Sequence, residues 1–229
     1  MDVSEHSGQS HWIPLSDLMT GLMMIFMLIS ALFMLRVEQT TTLVVREYEV
    51  TREDLLRALQ DSFAKDLKQW DAEFLGDMTL RFNNPGVLFA TGSASLRPEF
   101  QKVLSEFLPR YIKILTAEKF RRSIKEVRIE GHTSSFWGNS SNQEAYFKNM
   151  ELSQARTRST LEYILKLPEL AANADWLKAH VTANGLSSSR PIRKSDESID
   201  ESASQRVEFR IVTNAEERMD AIAKGIAGK

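Results

Sequence analysis

The 229-residue chain has no cysteine. That removes disulfides, thiolate nucleophiles and thiolate metal sites. It leaves the compartment open, because an extracytoplasmic domain can do without disulfides. Histidine is scarce, with four residues, and His6, His11 and His180 show no ligand spacing with His132. No metal and no cofactor are expected, and His132 reads as a structural hydrogen-bonding residue. A Ser-His-Asp signature and a phosphate loop are both missing, so no enzyme is expected. There is no basic stripe with interleaved aromatics, and the net charge is only −2, so no nucleic-acid face is implied. The first 11 residues, MDVSEHSGQSH, contain no Lys or Arg. A cleaved signal peptide needs a basic start, a short apolar core and a small-residue cleavage site; "ISALFML" is a poor one. A retained span is the better reading.

What the chain does have is one long apolar run. Residues 12–35, WIPLSDLMTGLMMIFMLISALFML, contain a single charge, Asp17, and five of the nine Met lie between residues 19 and 34. Leu18 to Leu35 at about 1.5 Å per residue spans about 27 Å, close to the hydrocarbon thickness of a bilayer. A transmembrane helix is expected over 12–36, with 1–11 as a short tail before it. Pro14 suits a first helical turn. On a helix, Asp17 shares a face with Thr20, Gly21, Met24, Leu28 and Ala31. Small residues there let another helix approach in lipid, so this face is expected to pack on protein. Arg36, Arg46 and Arg52 follow the span while only Asp2 and Glu5 precede it. Charge bias alone would therefore put the C-terminal part in the cytoplasm.

Residues 37–76 read as a linker. VEQTTTLVV (37–45) fits a break or a continued helix. Leu55, Leu56, Leu59, Phe63, Leu67, Trp70 and Phe74 recur at helical spacing, which predicts an amphipathic helix of some 20 residues. It would pack on the following domain or serve as a self-associating stalk. From 77 to 214 a small α+β sandwich is expected, with order β-α-β-α-β-β and two crossover helices. The strands are MTLRFN (78–83), SIKEVRIEGH (123–132), HVTANGL and RVEFRIVT. The helices are 100–120, with Val103, Leu104, Phe107, Leu108, Ile112 and Ile114 apolar, and 152–167. Residues 133–150 read as a polar loop, 187–205 as a polar, mobile one, and 215–229 as a weakly helical tail.

Two motifs carry a family resemblance. Gly131-His132-Thr133, then Asn149, Leu152, Ser153 and Arg156, then Arg206-Val207-Glu208 resemble the OmpA-like peptidoglycan-binding domain over residues 78–214. The resemblance implies binding of the peptide stem of peptidoglycan by Thr133, Ser134, Asn149, Leu152, Ser153, Arg156 and Arg206. A diaminopimelate end carries a carboxylate, which an arginine such as Arg156 can hold in a bidentate pair. Taken alone, Arg156 reads as a surface salt bridge; within the motif, binding is the better reading. In the family the ammonium partner is an Asp after Gly-His-Thr. Here Ser134 stands there, so either Glu144, Glu151 or a backbone carbonyl substitutes, or affinity is weaker.

The second motif is LSDLMTGLMMIFMLIS, which resembles the N-terminal helix of B subunits of ion-driven stators. The "WIPLSDLMTGLMMIF" start, the missing basic tail and the short chain are closer to the B subunits of Zorya anti-phage motors than to flagellar ones. This implies a bacterial inner-membrane protein with a cytoplasmic N-terminus and a periplasmic C-terminal domain, against the charge bias. It also implies a multi-span A subunit, in a ring of five, around two copies of this chain. Asp17, with the hydroxyls of Ser16 and Thr20, would transfer the ion, H+ as first guess. An ionisable group within a span is by default functional, and protonation turns an anion that avoids lipid into a neutral group that tolerates it. The residues alone also allow Asp17 to be a helix N-cap. Two rivals remain: a flagellar stator subunit, and a passive wall tether whose span merely holds it.

Overall fold

The structure, a computed structural model, describes residues 12–83 and 85–214. The predicted tails at 1–11 and 215–229 lie outside them. The chain divides into two compact units, one reaching to Val50 and one beginning at Thr51.

Helix α1 runs without interruption from Trp12 to Phe63. The 37–45 segment therefore continues the helix. Its stretch Leu15–Gln39, with mean hydropathy 2.4, is long and apolar enough to cross a membrane, and none of it is buried within the chain. Beyond Thr51 the helix turns amphipathic and puts Leu55, Leu59 and Phe63 into the core of the second unit.

The predicted amphipathic helix does not reach Phe74. It stops at Phe63, and hydrogen-bonded turns follow, with the Leu67 and Trp70 amides donating to Phe63 and Asp66 carbonyls. Asp71 takes a left-handed φ of 51°, and Ala72–Phe74 becomes strand β1. The helical spacing of Leu67, Trp70 and Phe74 reflects burial on a common core, not a common helix. Trp70 still packs on Phe63, ring centroids 5.9 Å apart.

A five-stranded sheet follows in the order β1-β2-β5-β3-β4, with β2 at Thr79–Phe82, β3 at Ile124–His132, β4 at Val181–Gly185 and β5 at Arg206–Thr213. β5 lies between β2 and β3, antiparallel to both. β3 and β4 are parallel, which requires a crossover, supplied by the long helix α5, Asn142–Lys166. β1 is added to the predicted strands. Helix α2 is a single turn, Pro85–Leu88, and α3 runs from Pro98 to Leu115, with Pro98 in the N-terminal position that suits its missing N–H. The predicted helix to 120 breaks at Thr116, and a separate turn α4, Glu118–Arg121, follows. Helix α6, Ala174–His180, leads into β4.

Strand alternation sorts the sheet into two unlike faces. Val127, Ile129, Val207, Phe209 and Ile211 enter the core. There Phe107 lies 5.3 Å from Phe63 and 5.4 Å from Phe209. The alternate residues Glu130, His132, Arg206 and Glu208 point to the other face and are nonetheless buried. The 187–205 segment meets them: Arg190 pairs with Glu130, and Arg206 donates to the carbonyls of Arg190 and Ser204. This segment is therefore pinned rather than a mobile loop. It holds a bridge between Arg193 and Ile199 and a short helix α7, Glu201–Ser204. The Asp200 carboxylate caps α7 by accepting the Ser202 and Ala203 amides.

Candidate functional site

The site is built where the end of β3 meets the start of α5. The predicted loop 133–150 is only half loop, because α5 begins at Asn142. Ser141 and Glu144 form a reciprocal capping box there. Glu144 is thereby engaged at the helix start. Along α5 the positions Asn149, Leu152, Ser153 and Arg156 fall on one helical face, with Asn149, Ser153 and Arg156 buried.

Each of these side chains fixes a different loop. Asn149 Nδ2 donates to the Phe136 carbonyl at 3.0 Å, which holds the loop after β3. Ser153 Oγ accepts the Ser187 amide at 3.0 Å, and the Ser187 carbonyl accepts the Thr133 amide at 3.0 Å. Thr133 Oγ1 is buried and makes no hydrogen bond among the described residues. Arg156 Nε donates to the Ser93 carbonyl at 2.9 Å, Nη2 donates to that of Ala90 at 3.3 Å, and the guanidinium stacks over Phe89 at 5.0 Å. Burial disfavours its charge and lowers its pKa. Among the described residues it makes no salt bridge, and its polar partners are backbone carbonyls. The Nε–Nη2 edge is thus taken by two backbone carbonyls.

Close approach of α5 to the sheet depends on two glycines paired across β3 and β4, Gly131 and Gly185. A Cβ at Gly185 would stand 2.3 Å from the Gln154 amide nitrogen, and one at Gly131 would stand 2.7 Å from Thr157 Cγ2. The sequence shows Gly131 within its motif and gives no sign of Gly185.

Arg206 is not part of this group. It lies on the opposite face of the sheet, Nε 2.7 Å from Glu208 Oε1, beneath the 187–205 segment. Arg81 Nε reaches the same oxygen at 2.8 Å, and His132 Nε2 lies 3.3 Å from Glu208 Oε2. Burial would raise the Glu208 pKa, yet hydrogen bonds from Arg206 and Arg81, with His132 beside it, outweigh that and hold the carboxyl well below its ordinary range; neither ring nitrogen of His132 makes a hydrogen bond among the described residues. Burial lowers the His132 pKa, partly opposed by Glu208. Glu130, His132 and Glu208 are close enough to share a cation. Three guanidinium groups already neutralise the two carboxylates, so the donor set suits an ion-pair cluster and not a metal.

The loop after β3 has one carboxylate that sequence reading missed. Glu201 accepts from the Ser135 amide at 2.8 Å and from Ser135 Oγ at 2.5 Å. Ser134 itself is half-buried. Nothing in the sequence connects Glu201 to residue 135 across 66 positions.

In the N-terminal helix, α1 is already helical at Trp12, so Asp17 stands beyond the first turn, where amides have intrahelical partners. It is not an N-cap. Thr20 Oγ1 donates to the Ser16 carbonyl at 2.8 Å. Asp17, Thr20, Met24 and Leu28 are all exposed within the single chain.

These features define a class: an apolar N-terminal helix followed by an α/β domain built on a five-stranded mixed sheet. The chain is 44% identical over 211 residues to the Zorya protein ZorB of Escherichia coli, covering 90% of this chain and 89% of that one. It belongs to the ZorB family. No family model matches the sequence. Among solved structures, the cell wall anchor of the T6SS from Pseudomonas aeruginosa is similar at 23% identity and TM-score 0.46, over 68% of this chain and 96% of that one. A putative MotB-like protein from Desulfovibrio vulgaris gives 23% and 0.46, over 70% and 94%. The periplasmic domain of Helicobacter pylori MotB gives 16% and 0.44, over 64% and 84%.

Proposed function

We propose that this chain is the peptidoglycan-anchored B subunit of an ion-driven rotary motor of the bacterial inner membrane, acting in anti-phage defence. The observation that carries the motor reading is Asp17. It is the one charged residue of an otherwise apolar stretch, it lies inside the helix, and no capping role accounts for it. Membership of the ZorB family supports the defence role. One single-span chain cannot make an ion path, so the exposed Asp17 face meets a multi-span A subunit. The arrangement is two copies of this chain within a ring of five. Asp17 takes and releases the ion, H+ by preference, with Ser16 and Thr20 beside it. One elementary charge crossing 100 mV releases about 2.3 kcal/mol, which drives rotation of the A ring about the anchored pair. The N-terminus is cytoplasmic and the domain from Thr51 is periplasmic.

At the wall, Arg156 binds the diaminopimelate carboxylate through its Nη1–Nη2 end. Asn149, Leu152, Ser153 and Thr133 shape the pocket around it. Ser134 offers a hydroxyl where the resembling family has a carboxylate, and Glu201, held against Ser135, supplies the negative charge for the ammonium. Arg206 braces the far face instead of touching the stem.

The test is phage plating on cells carrying the native operon, wild type against Asp17→Asn at matched expression. Loss of protection in the variant is expected. Equal protection would reduce the chain to a passive tether. A wild-type operon without protection against a broad phage panel, but with a motility phenotype, would favour a flagellar stator.

A further inference from the structure

A cavity of about 630 Å³ is lined by Thr116, Glu118, Arg121, Arg122, Trp176 and His180, residues of α4, α6 and the end of α3. It sits at the start of the two parallel strands, since Arg122 stands just before β3 and His180 just before β4. The α5 site lies at the far end of β3. A nine-residue strand, about 25 Å long, separates the two, so the cavity stands apart from the wall-binding reading. Its size suits a small-molecule ligand.

The walls are fixed. α3 ends at Thr116, and Phe120 anchors the following turn α4 in the core. Lys119 Nζ pairs with Asp54 at 2.7 Å, and the Arg122 carbonyl accepts Asn214 Nδ2 at 2.7 Å. On α6, Trp176 stacks on His180 with ring centroids 4.7 Å apart and planes 9° from parallel. Trp176 is only 6% exposed, and its indole N–H has no hydrogen-bond partner among the described residues.

The charges of the lining are unspent. Glu118 stands three and four positions before Arg121 and Arg122, a spacing at which helix pairs form. Yet among the described residues none of these three side chains makes an ion pair or a hydrogen bond. The lining thus holds two guanidinium groups and one carboxylate. A single guanidinium fork satisfies a carboxylate. Two forks suit a phosphate group, which offers at least three acceptor oxygens. Glu118 then calls for a positive group on the same ligand.

We propose that this cavity binds an aminoalkyl phosphate, with the phosphate on Arg121 and Arg122 and the ammonium on Glu118. The Trp176 N–H gains an acceptor in a phosphate oxygen, and the stacked rings cover the alkyl carbons. Such a group occurs on soluble phosphomonoesters and in the phosphodiester headgroups of membrane lipids.

The experiment titrates the full chain in a maltoside detergent with O-phosphoethanolamine, ethyl phosphate and glycerophosphoethanolamine. Wild type is compared with Glu118→Gln and with Arg121→Gln/Arg122→Gln. All three positions are exposed, and an unaltered melting curve would confirm that the variants fold. The wild type is expected to bind O-phosphoethanolamine about fivefold tighter than ethyl phosphate, the upper range for a partly exposed ion pair. Glu118→Gln should keep ethyl phosphate binding and lose that preference. The arginine variant should lose about tenfold or more for both monoesters. Glycerophosphoethanolamine binding as tightly as the monoester upholds the site with a lipid headgroup as its source. Binding of the monoester alone upholds it with a soluble one. The proposal is overturned if the wild type binds none of the probes, if it binds both monoesters equally, or if the arginine variant binds as the wild type does. A changed oligomeric state of the arginine variant in light scattering also overturns it, because the basic pair then serves a contact between copies.

Discussion

Glu201 and Ser135 meet through two hydrogen bonds, from the Ser135 amide at 2.8 Å and its hydroxyl at 2.5 Å. The pair joins the 187–205 segment to the loop after β3 and puts a carboxylate one residue from Ser134. A glutamine keeps an acceptor for Ser135 but removes the charge. Glu201→Gln is therefore expected to leave the melting temperature within about 2 °C and to weaken stem-peptide binding about tenfold, equivalent to about 1.4 kcal/mol. Calorimetric titration with peptide, and with a peptide whose terminal amine is acetylated, checks this. If the variant discriminates the two peptides as the wild type does, Glu201 only braces the loop.

Gly185 is demanded by packing. Its missing Cβ would meet the backbone of α5, which cannot give way as a flexible side chain would. Gln154 reinforces the seam by accepting the Gly185 amide at 2.7 Å and donating to the Ala183 carbonyl at 3.2 Å. Gly185→Ala should push α5 off β4, destabilise the domain by about 2 kcal/mol, and lower its melting temperature by about 4–8 °C. Thermal denaturation followed by circular dichroism reads the shift directly.

The sheet domain was legible where local pattern and tertiary role coincide. Ile124, Val127 and Ile129 alternate because one face of β3 is buried, and α3 shows its core-facing residues at helical spacing. Pattern misled where burial came from several elements at once. Leu67, Trp70 and Phe74 mimic a helix while lying on turns and a strand. The 187–205 segment looks soluble by composition, yet Ser187 and Ser204 are fully covered because their hydrogen bonds run to distant carbonyls and amides. The motif gave Arg156, Asn149 and Ser153 together. It also offered Arg206, which strand alternation sends to the opposite face. Glu201 was invisible because its role depends on a long-range contact.

Acid should weaken this domain in two steps. The folded state holds His132 with a lowered pKa, so between that value and the unfolded value of about 6.5 only the unfolded chain takes the proton. Stability is thus lost as pH falls below about 6.5. Glu208, depressed in the folded state among Arg81, Arg206 and His132, adds stability above the unfolded carboxylate value of about 4.3 that disappears as pH falls further. Arg190 and Glu130 complete the surround and keep the cluster closed. Melting temperatures from pH 8 to pH 3 should be level at first and then fall in both windows. His132→Gln should remove the upper step alone. A wild-type profile flat from pH 7 to pH 5 would contradict the burial of a neutral His132.

Arg156 acts through geometry as well as charge, which separates it from lysine. Its Nε and Nη2 hold the Ser93 and Ala90 carbonyls while its plane covers Phe89. A lysine retains one cation but loses the fork and the stacking. Arg156→Lys is expected to reduce stem-peptide affinity about tenfold, about 1.4 kcal/mol, and to speed amide exchange at Ser93 and Arg97, whose amides bond within that loop to Ala90 and Leu88. Exchange in β3 and β5 should stay unchanged. The same loss of affinity without faster exchange would assign Arg156 to ligand contact alone. Faster exchange with unchanged affinity would make it a brace and move carboxylate recognition elsewhere on the site.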